Sequence, residues 1–508
     1  MRLDILLQTI VPISCSGPVD LEITGLCYDS RQAKPGSLFF ALRGAAVDGH
    51  CFIGQAVAGG AVAVVLEDGS FAPPGVTVVT ARDARHAMSM MAARFYHDPT
   101  AGIPCIGITG TNGKTTTTYL MEGILAAAGI PSAVLGTISY RFGNRQIPAP
   151  NTTPESVDLQ GTLAELVTAG ARGVIMEVSS HALEQRRVDG CRFDVGIFSN
   201  LTRDHLDYHL TMENYLGSKS RLFSVLLQPT EDKPHRRAVV NVDDEYGERI
   251  AAAAACPVVR YGLTRQADVT AREIAFSVGG IGGVLVTPKG EVPFHSRLLG
   301  RFNLYNILSA VAAGVALDLP LERIVAGIAG HATVPGRLER VENDRGFTIL
   351  VDYAHTGDAL ENVLLTLKEI ATGRIITVFG CGGDRDKGKR PVMGGVAGRY
   401  SDLAILTSDN PRTEDPATIM AEVRGGLEPL GLREYRIDEL AGGFGEHGFV
   451  SVPSRRDAIG LAVRLAQPGD VVLLAGKGHE DYQIIGTVKH HFDDREEAAA
   501  ACAGLDGL

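Results

Sequence analysis

The segment Thr109-Gly110-Thr111-Asn112-Gly113-Lys114-Thr115 lies between an apolar run and a long helical pattern, and its residue types are those that hold phosphate. Glycine lets a backbone wrap closely round an anion, and the amides at a helix start point toward it. Lys114 can reach terminal phosphates, Thr115 can offer its hydroxyl to Mg²⁺, and Thr116 continues the same turn. The strict P-loop spacing asks for glycine where Ile108 stands, so the loop is a variant. The plain alternative is a Gly-rich turn carrying an exposed lysine.

Two more groups of reactive side chains follow apolar runs in the same stretch. Glu177 closes one run and precedes Ser179-Ser180-His181; Ser199 to His209 follows the next, with Lys219 on the helical pattern beyond. Parallel sheets bind ligands at the carboxyl ends of their strands, which puts these residues on the rim of the phosphate loop. ATP chemistry between two anions needs a divalent metal, and carboxylate and imidazole are suitable ligands. Taken singly, Glu177 could cap a helix, His205 could be a bonded loop histidine and Lys219 a solvated helix face. The shared rim outweighs those readings.

Positioning such a site takes alternating strands and helices. After a first ~100 residues of short strands, among them Ser37–Leu42 and Ala61–Leu66, a helix over Ala84–Phe95 ends at His97-Asp98-Pro99. Strands are then predicted at Ile103–Thr109, Ala133–Thr137, Val174–Ser179, Val195–Ser199 and Ala238–Val242, with helices to Gly129 and over Met212–Phe223. Val278–Thr287 reads as a hairpin, and Ala251–Ala255 as a short helix. A boundary near Thr333-Val334-Pro335-Gly336 precedes a second alternation. It runs through strands Thr348–Asp352, Ile375–Gly380, Leu403–Ser408 and Val471–Ala475 and helices Ala359–Ile370, Arg390–Tyr400 and Pro416–Gly425. The fold class is α/β with three domains: residues 1–99, 100–334 and 335–508.

Composition narrows the class of partner. With 508 residues the chain exceeds one core, and 48 Lys plus Arg against 59 Asp plus Glu gives a net charge of -11. That balance argues against general affinity for nucleic acid or anionic membranes. No apolar run approaches the ~20 residues of a membrane helix. Met1-Arg2-Leu3-Asp4 does not begin a secretory leader, and eight cysteines without C-x-x-C spacing read as reduced core residues. A cytoplasmic monomer is expected.

The strings TGTNGKTTT, EVSSHALEQRRVDG and SNLTRDHLDYHLTMENYLGSK closely resemble the Mur ligases of peptidoglycan synthesis. DSRQAKPGSLFFALRG, GRFNLYN, VPGRLE, VDYAHT and GCGGDRDKGKRP follow in the family's order, so the resemblance spans nearly the whole chain. It implies a small N-terminal α/β domain binding UDP, a central P-loop-type ATPase sheet and a Rossmann-like C-terminal domain that closes over the site.

Carried over by position, the resemblance assigns Gly110 to Thr116 to ATP, with Lys114 and Thr115 on phosphates and Mg²⁺. Glu177 and His205 become metal ligands, and Lys219 the lysine the family carbamylates to hold a second Mg²⁺. Asn303 and Asn306 would meet the adenine, while Arg337 and Asp352 would contact ATP, the latter at the ribose. Ser30 would sit near the uracil end of a UDP-muramoyl dipeptide. Asn151, Thr152, Thr153, Ser179, Gln185 and Arg187 would hold its pyrophosphate, sugar and peptide.

Asp409-Asn410-Pro411-Arg412 resembles the signature of the family members that add diaminopimelate. That amino acid carries a second carboxylate that lysine lacks, and an arginine fork can grip it bidentately. Arg385, Gly476 and Glu480 join Asp409, Asn410, Pro411 and Arg412 at this expected amino-acid site. The implied activity is ATP-dependent amide formation: UDP-N-acetylmuramoyl-L-Ala-D-Glu is activated as an acyl phosphate and joined to meso-diaminopimelate. Three alternatives stand beside it: the same fold adding L-lysine, a folylpolyglutamate synthase-like relative, and a nucleotide-dependent switch that ligates nothing. The EVSSHALEQRRV and DNPR strings speak against the second, and a complete amino-acid site against the third.

Overall fold

The computed structural model describes residues 1–44, 47–330 and 333–504; residues 45, 46, 331, 332 and 505–508, some of them inside the expected first and last domains, lie outside the description. The described chain divides into two compact units, Met1–Ala271 with Leu285–Val292 and Tyr305–Gly327, and Arg272–Val284 with Pro293–Leu304 and Ile328–Leu508.

The first unit holds two sheets. Strands β1 (Ser14–Ser16), β2 (Gly25–Cys27), β3 (Ser37–Phe40), β4 (Ala61–Leu66) and β5 (Thr77–Thr80) assemble in the order β1-β5-β4-β3-β2. The helix Ala84–Phe95 begins where Asp83 accepts from the His86 amide. It turns Ala84, Ala87, Met88, Met91 and Ala92 inward, most of them into the core of that sheet. Next come β6 (Cys105–Thr109), β7 (Ser132–Leu135), β8 (Ser139–Phe142), β9 (Arg145–Pro148), β10 (Gly173–Glu177), β11 (Val195–Phe198), β12 (Arg237–Asn241) and β13 (Val258–Tyr261). Their order is β13-β12-β11-β6-β10-β7-β8-β9, parallel as far as β7 and antiparallel through β8 and β9. Strands β6, β10 and β11 are buried from end to end, as strands covered on both faces must be. Because β6 lies between β10 and β11, the loops after all three open on one rim.

In the second unit β17 (Glu339–Val341), β18 (Thr348–Asp352), β19 (Ile375–Phe379), β20 (Leu403–Leu406), β21 (Arg433–Glu434), β22 (Gly448–Ser451) and β23 (Val471–Ala475) order as β17-β18-β23-β19-β20-β22-β21. Only the β17–β18 pair is antiparallel. Helices on this sheet start on side-chain caps: Thr356 for Gly357–Ile370, Asp415 with Pro416 for Pro416–Leu427, and Ser454 for Arg455–Leu465. A hairpin of β24 (Tyr482–Ile485) and β25 (Val488–His491) follows β23.

Several expectations change. The stretch 278–287 is not a hairpin. Gly280–Thr287 is the middle strand, β15, of a three-stranded sheet with β14 (Thr270–Ser277) and β16 (Gly290–Ser296), and only 278–279 turns. The helix from Met212 ends at Arg221 and widens into a π-helical turn over Leu222–Leu226. The short helix spans Gly247–Ala253 rather than 251–255. All eight cysteines are free, but Cys15 and Cys51 are exposed and belong to no core. No helix among the described residues is long and apolar enough to cross a membrane.

Candidate active site

The phosphate loop leaves β6 and enters the helix Lys114–Ala127 with Gly113 at φ +88°. A side chain at Gly113 would stand 2.2 Å from Asn306 Oδ1, and one at Gly110 would stand 1.9 Å from Ser199 Oγ. Both positions need glycine for close approach, and at Gly113 also for a left-handed backbone. The loop after β11 braces this turn. Ser199 Oγ donates to the Asn112 carbonyl at 2.6 Å, Asn200 Oδ1 accepts from the Asn112 amide at 2.9 Å, and the Asn200 carbonyl accepts from the Thr111 amide at 2.9 Å. Lys114 Nζ folds back on the carbonyls of Gly110 and Thr111, at 2.9 and 2.8 Å. Thr116 is buried in the helix's first turn.

Behind the loop, Glu177 is 1% exposed at the end of β10. Its Oε1 accepts from Thr115 Oγ1 and the Thr137 amide, both at 3.0 Å, and its Oε2 accepts from Thr137 Oγ1 at 2.9 Å. A carboxylate and hydroxyl oxygens beside a phosphate loop fit Mg²⁺, which takes one or two carboxylates with substrate phosphates rather than an all-protein cage. Among the described residues no three His, Cys, Asp or Glu side chains converge into such a cage. Lys219 is fully buried and donates to the Gly110 carbonyl at 2.9 Å. Burial, and then the nearby Lys114 cation, draw its amine well below the usual lysine range, toward the neutral form.

His205 takes a different position from Thr115 and Glu177. It is exposed at φ +54°, with Nε2 3.5 Å from Asp204 Oδ2, and its ring lies 5.0 Å from that of His181. His181 in turn packs against Tyr208 at 4.2 Å and His209 at 5.4 Å. Burial pulls His209 down to about 4, and its Nε2 meets Ser180 Oγ at 2.9 Å.

The residues expected at the acceptor substrate gather beside Glu177, with Ser30 apart from them. Thr153 Oγ1 donates to the Glu177 carbonyl at 2.8 Å and accepts from the Ser179 amide at 3.1 Å. Arg187 donates to the Thr153 carbonyl at 2.9 Å and to Gln185 Oε1 at 2.8 Å, and pairs with Glu155 at 2.8 Å. Thr152 Oγ1 meets Thr137 Oγ1 at 3.1 Å, while the Asn151 side of that turn is tied through its carbonyl to the Tyr140 hydroxyl. Ser30 opens a short 3-10 turn between β2 and β3, bonded to Gln55 Oε1 at 2.8 Å.

In the second unit, the ends of β19, β20 and β23 hold the expected amino-acid residues. Asn410 Nδ2 donates to Glu480 Oε2 at 3.0 Å, and buried Asp409 pairs with Lys477 at 3.0 Å. Arg412 has φ +52°. Its amide donates to the Ile484 carbonyl at 3.1 Å, its carbonyl accepts from the Gly486 amide at 2.8 Å, and its Nη1 donates to the Gly383 carbonyl at 2.7 Å. The β24–β25 hairpin thus straps the loop of Pro411 and Arg412. Gly476 leaves β23 at φ +117°, and Arg385 is exposed on the loop after β19. Arg390, unmarked in the sequence, is wholly buried and bridges Glu414, Glu422 and the Gly382 carbonyl.

The remaining expected ATP contacts have structural partners of their own. Asp352 is buried, which raises its carboxyl, and its oxygens accept from the amides of Leu338 and Ala354, each at 2.8 Å. Arg337 lies 5.3 Å over the Tyr353 ring. Asn303 Nδ2 donates to the Leu299 carbonyl at 2.8 Å, whereas Asn306 borders Gly113.

The chain is similar to known proteins along nearly its whole length. Residues 108–314 match the Mur ligase middle domain, 336–478 the Mur ligase glutamate ligase domain, and 22–96 the Mur ligase family catalytic domain. The UDP-N-acetylmuramoyl-L-alanyl-D-glutamate–2,6-diaminopimelate ligase of Geobacter metallireducens is 67% identical over 501 residues, covering 99% of this chain and 98% of its own. Its namesake in Geobacter sulfurreducens is 64% identical over 506 residues, covering 100% and 99%. A solved structure of a ligase of that name aligns over 100% of both chains at 34% identity, with a TM-score of 0.75.

Proposed function

Since this chain belongs to the Mur ligase family, we propose that it adds meso-2,6-diaminopimelate to UDP-N-acetylmuramoyl-L-alanyl-D-glutamate at the expense of ATP, as a monomer in the cytoplasm. The observation that carries the reading is 67% identity along 99% of the chain to a ligase of that name.

In the first step a terminal D-glutamate carboxylate oxygen attacks the γ-phosphorus of ATP, ADP leaves, and an acyl phosphate forms. Lys114 turns from the Gly110 and Thr111 carbonyls to the phosphates, adding a cation where charge spreads over the phosphoryl oxygens. Mg²⁺ accompanying ATP would supply electrostatic stabilisation of those oxygens; Thr115 and Glu177 would hold it, with His205 the further ligand that the family resemblance implies. With its pKa drawn down by burial and the Lys114 cation, the Lys219 amine is suited to take up CO₂, losing a proton and becoming a carbamate anion that would serve a second cation. In the second step the free amine of diaminopimelate attacks the acyl carbon. The tetrahedral intermediate collapses with loss of phosphate, and the nitrogen gives up a proton. Asn410, Arg412 and Glu480 orient that amino acid, while Thr153, Ser179, Gln185 and Arg187 hold the dipeptide.

The test is phosphate release from Mg-ATP and the UDP-muramoyl dipeptide, comparing meso-diaminopimelate with L-lysine and weighing the product. Release with diaminopimelate and the tripeptide mass are expected. A preference for lysine overturns the amino-acid assignment, and turnover with neither overturns the acceptor.

A further inference from the structure

Lys477 is 0% exposed, an unusual position for an ammonium group, and it is held there by two hydrogen bonds and one ion pair. Asp409 Oδ1 lies 3.0 Å away, Asn410 Oδ1 3.1 Å and the Tyr482 carbonyl 2.8 Å. The Phe492 ring, 5.9 Å off, borders the same pocket. Ringed by these partners and with no exposed surface, Lys477 does not face a substrate.

Its effect falls on the Asn410 side-chain amide. That side chain's Oδ1 faces Lys477 Nζ and, at 2.9 Å, the Ile484 amide. Both of these groups only donate, so the atom facing them must be the carbonyl oxygen. The NH₂ is thereby turned to Glu480 Oε2, to which it donates at 3.0 Å. Were the amide reversed, an N–H would point at an ammonium and a carbonyl oxygen at a carboxylate. The chain of cause runs from the Lys477 charge, through Asn410, to the Glu480 carboxylate.

We propose that Lys477 is a positioning residue for the incoming amino acid, fixing the Asn410 amide and, through it, the place and charge of Glu480. The inference rests on the proposed amino-acid site and adds to it a group that touches no substrate. A second consequence is electrostatic. Burial and the Asp409 carboxylate push the Glu480 carboxyl up, while Asn410, Lys477 and Arg412 hold it down. Arg455, Tyr353 and Tyr482 also face it. Removing the Lys477 charge leaves Asp409 less opposed, and Glu480 then binds its proton at higher pH.

The experiment is steady-state kinetics of Lys477→Met and Lys477→Gln in the full chain, varying each of the three substrates in turn across pH. The expected result in Lys477→Met is a KM for diaminopimelate raised about tenfold or more, as for loss of a charged hydrogen bond. KM for ATP and for the UDP-dipeptide should stay within about twofold, and in both variants the acid limb of kcat/KM for diaminopimelate should move to higher pH. Lys477→Gln keeps a donor without the charge, so it separates orientation from electrostatics and stands in if the Met variant does not fold. An unchanged KM for diaminopimelate overturns the proposal, as does a common rise of all three KM values with the acid limb unmoved. If the wild-type chain turns over lysine in place of diaminopimelate, the substrate reading fails, and the same measurements with lysine still decide the role of Lys477.

Discussion

The Thr115 hydroxyl, in the first turn of the phosphate-loop helix, donates to the buried carboxylate of Glu177 at 3.0 Å. This one bond joins the phosphate loop after β6 to the end of the neighbouring strand β10, so these two of the candidate Mg²⁺ donors are already within reach of a single ion.

Glu177→Gln keeps the shape and the acceptor for Thr115 but removes the charge. Turnover is expected to fall by about a hundredfold or more, the size of a lost electrostatic contact at a reacting centre. Phosphate release at saturating substrates checks it, and near-normal activity would take Glu177 out of the metal site.

Lys219, its pKa drawn well below the usual lysine range by burial and then by the Lys114 cation, should take up CO₂ more readily than an exposed lysine. Protein equilibrated with ¹³C-bicarbonate is expected to show a carbamate carbon signal that Lys219→Ala lacks. No difference between the two spectra would leave Lys219 as a plain amine.

Arg412→Lys replaces a planar fork with a point charge. Discrimination between diaminopimelate and L-lysine, as the ratio of kcat/KM values, is expected to narrow about ten- to a hundredfold. An unaltered ratio would place recognition of the distal carboxylate on another residue, with Arg385 the next to test.

Glu414 ties the loop after β19 to the loop after β20. It accepts from the Arg390 guanidinium at 2.8 Å and from the Asp384 amide at 2.6 Å. The Arg390 bond, then the Asp384 amide, hold its carboxyl down to about 2, from an ordinary 4.5. A carboxylate whose folded pKa is depressed contributes stability above the unfolded value and loses it as pH falls toward the folded one. Glu414→Gln should therefore be less stable than wild type at pH 7, with the gap closing between about 4.5 and 2. Denaturant melts of both proteins across that range read it; a gap independent of pH would show that the pair's charge is not what matters.

What the sequence disclosed was local. The Gly-Lys-Thr turn declares itself because φ > 0 glycines and a helix start are properties of adjacent residues, and β6, β10 and β11 because buried strands are continuous apolar runs. What it hid was made by distant partners. Asn200 braces Asn112 from 88 positions away, and Lys477 meets Asn410 from 67. On the page Lys477 is an ordinary lysine after a glycine, with nothing to mark it as buried. The run of glycines near 279–283 misled in the other direction, since most of it pairs inside strand β15. Thr137, which supplies two of the three bonds to the Glu177 carboxylate, carries no mark beyond standing past the end of a strand.

The strap over Arg412 carries a consequence for how amino-acid preference can change. The backbone of this arginine is held in a left-handed turn by bonds on both sides to Ile484 and Gly486. Where the guanidinium stands therefore depends on the register of a hairpin that lies about 70 positions downstream. Adding or deleting one residue in β24 would reverse which side chains face the loop and release the turn, with the arginine itself untouched. An intact Asp-Asn-Pro-Arg run would not, then, guarantee the preference by itself; the length of the hairpin is a second letter of the same word.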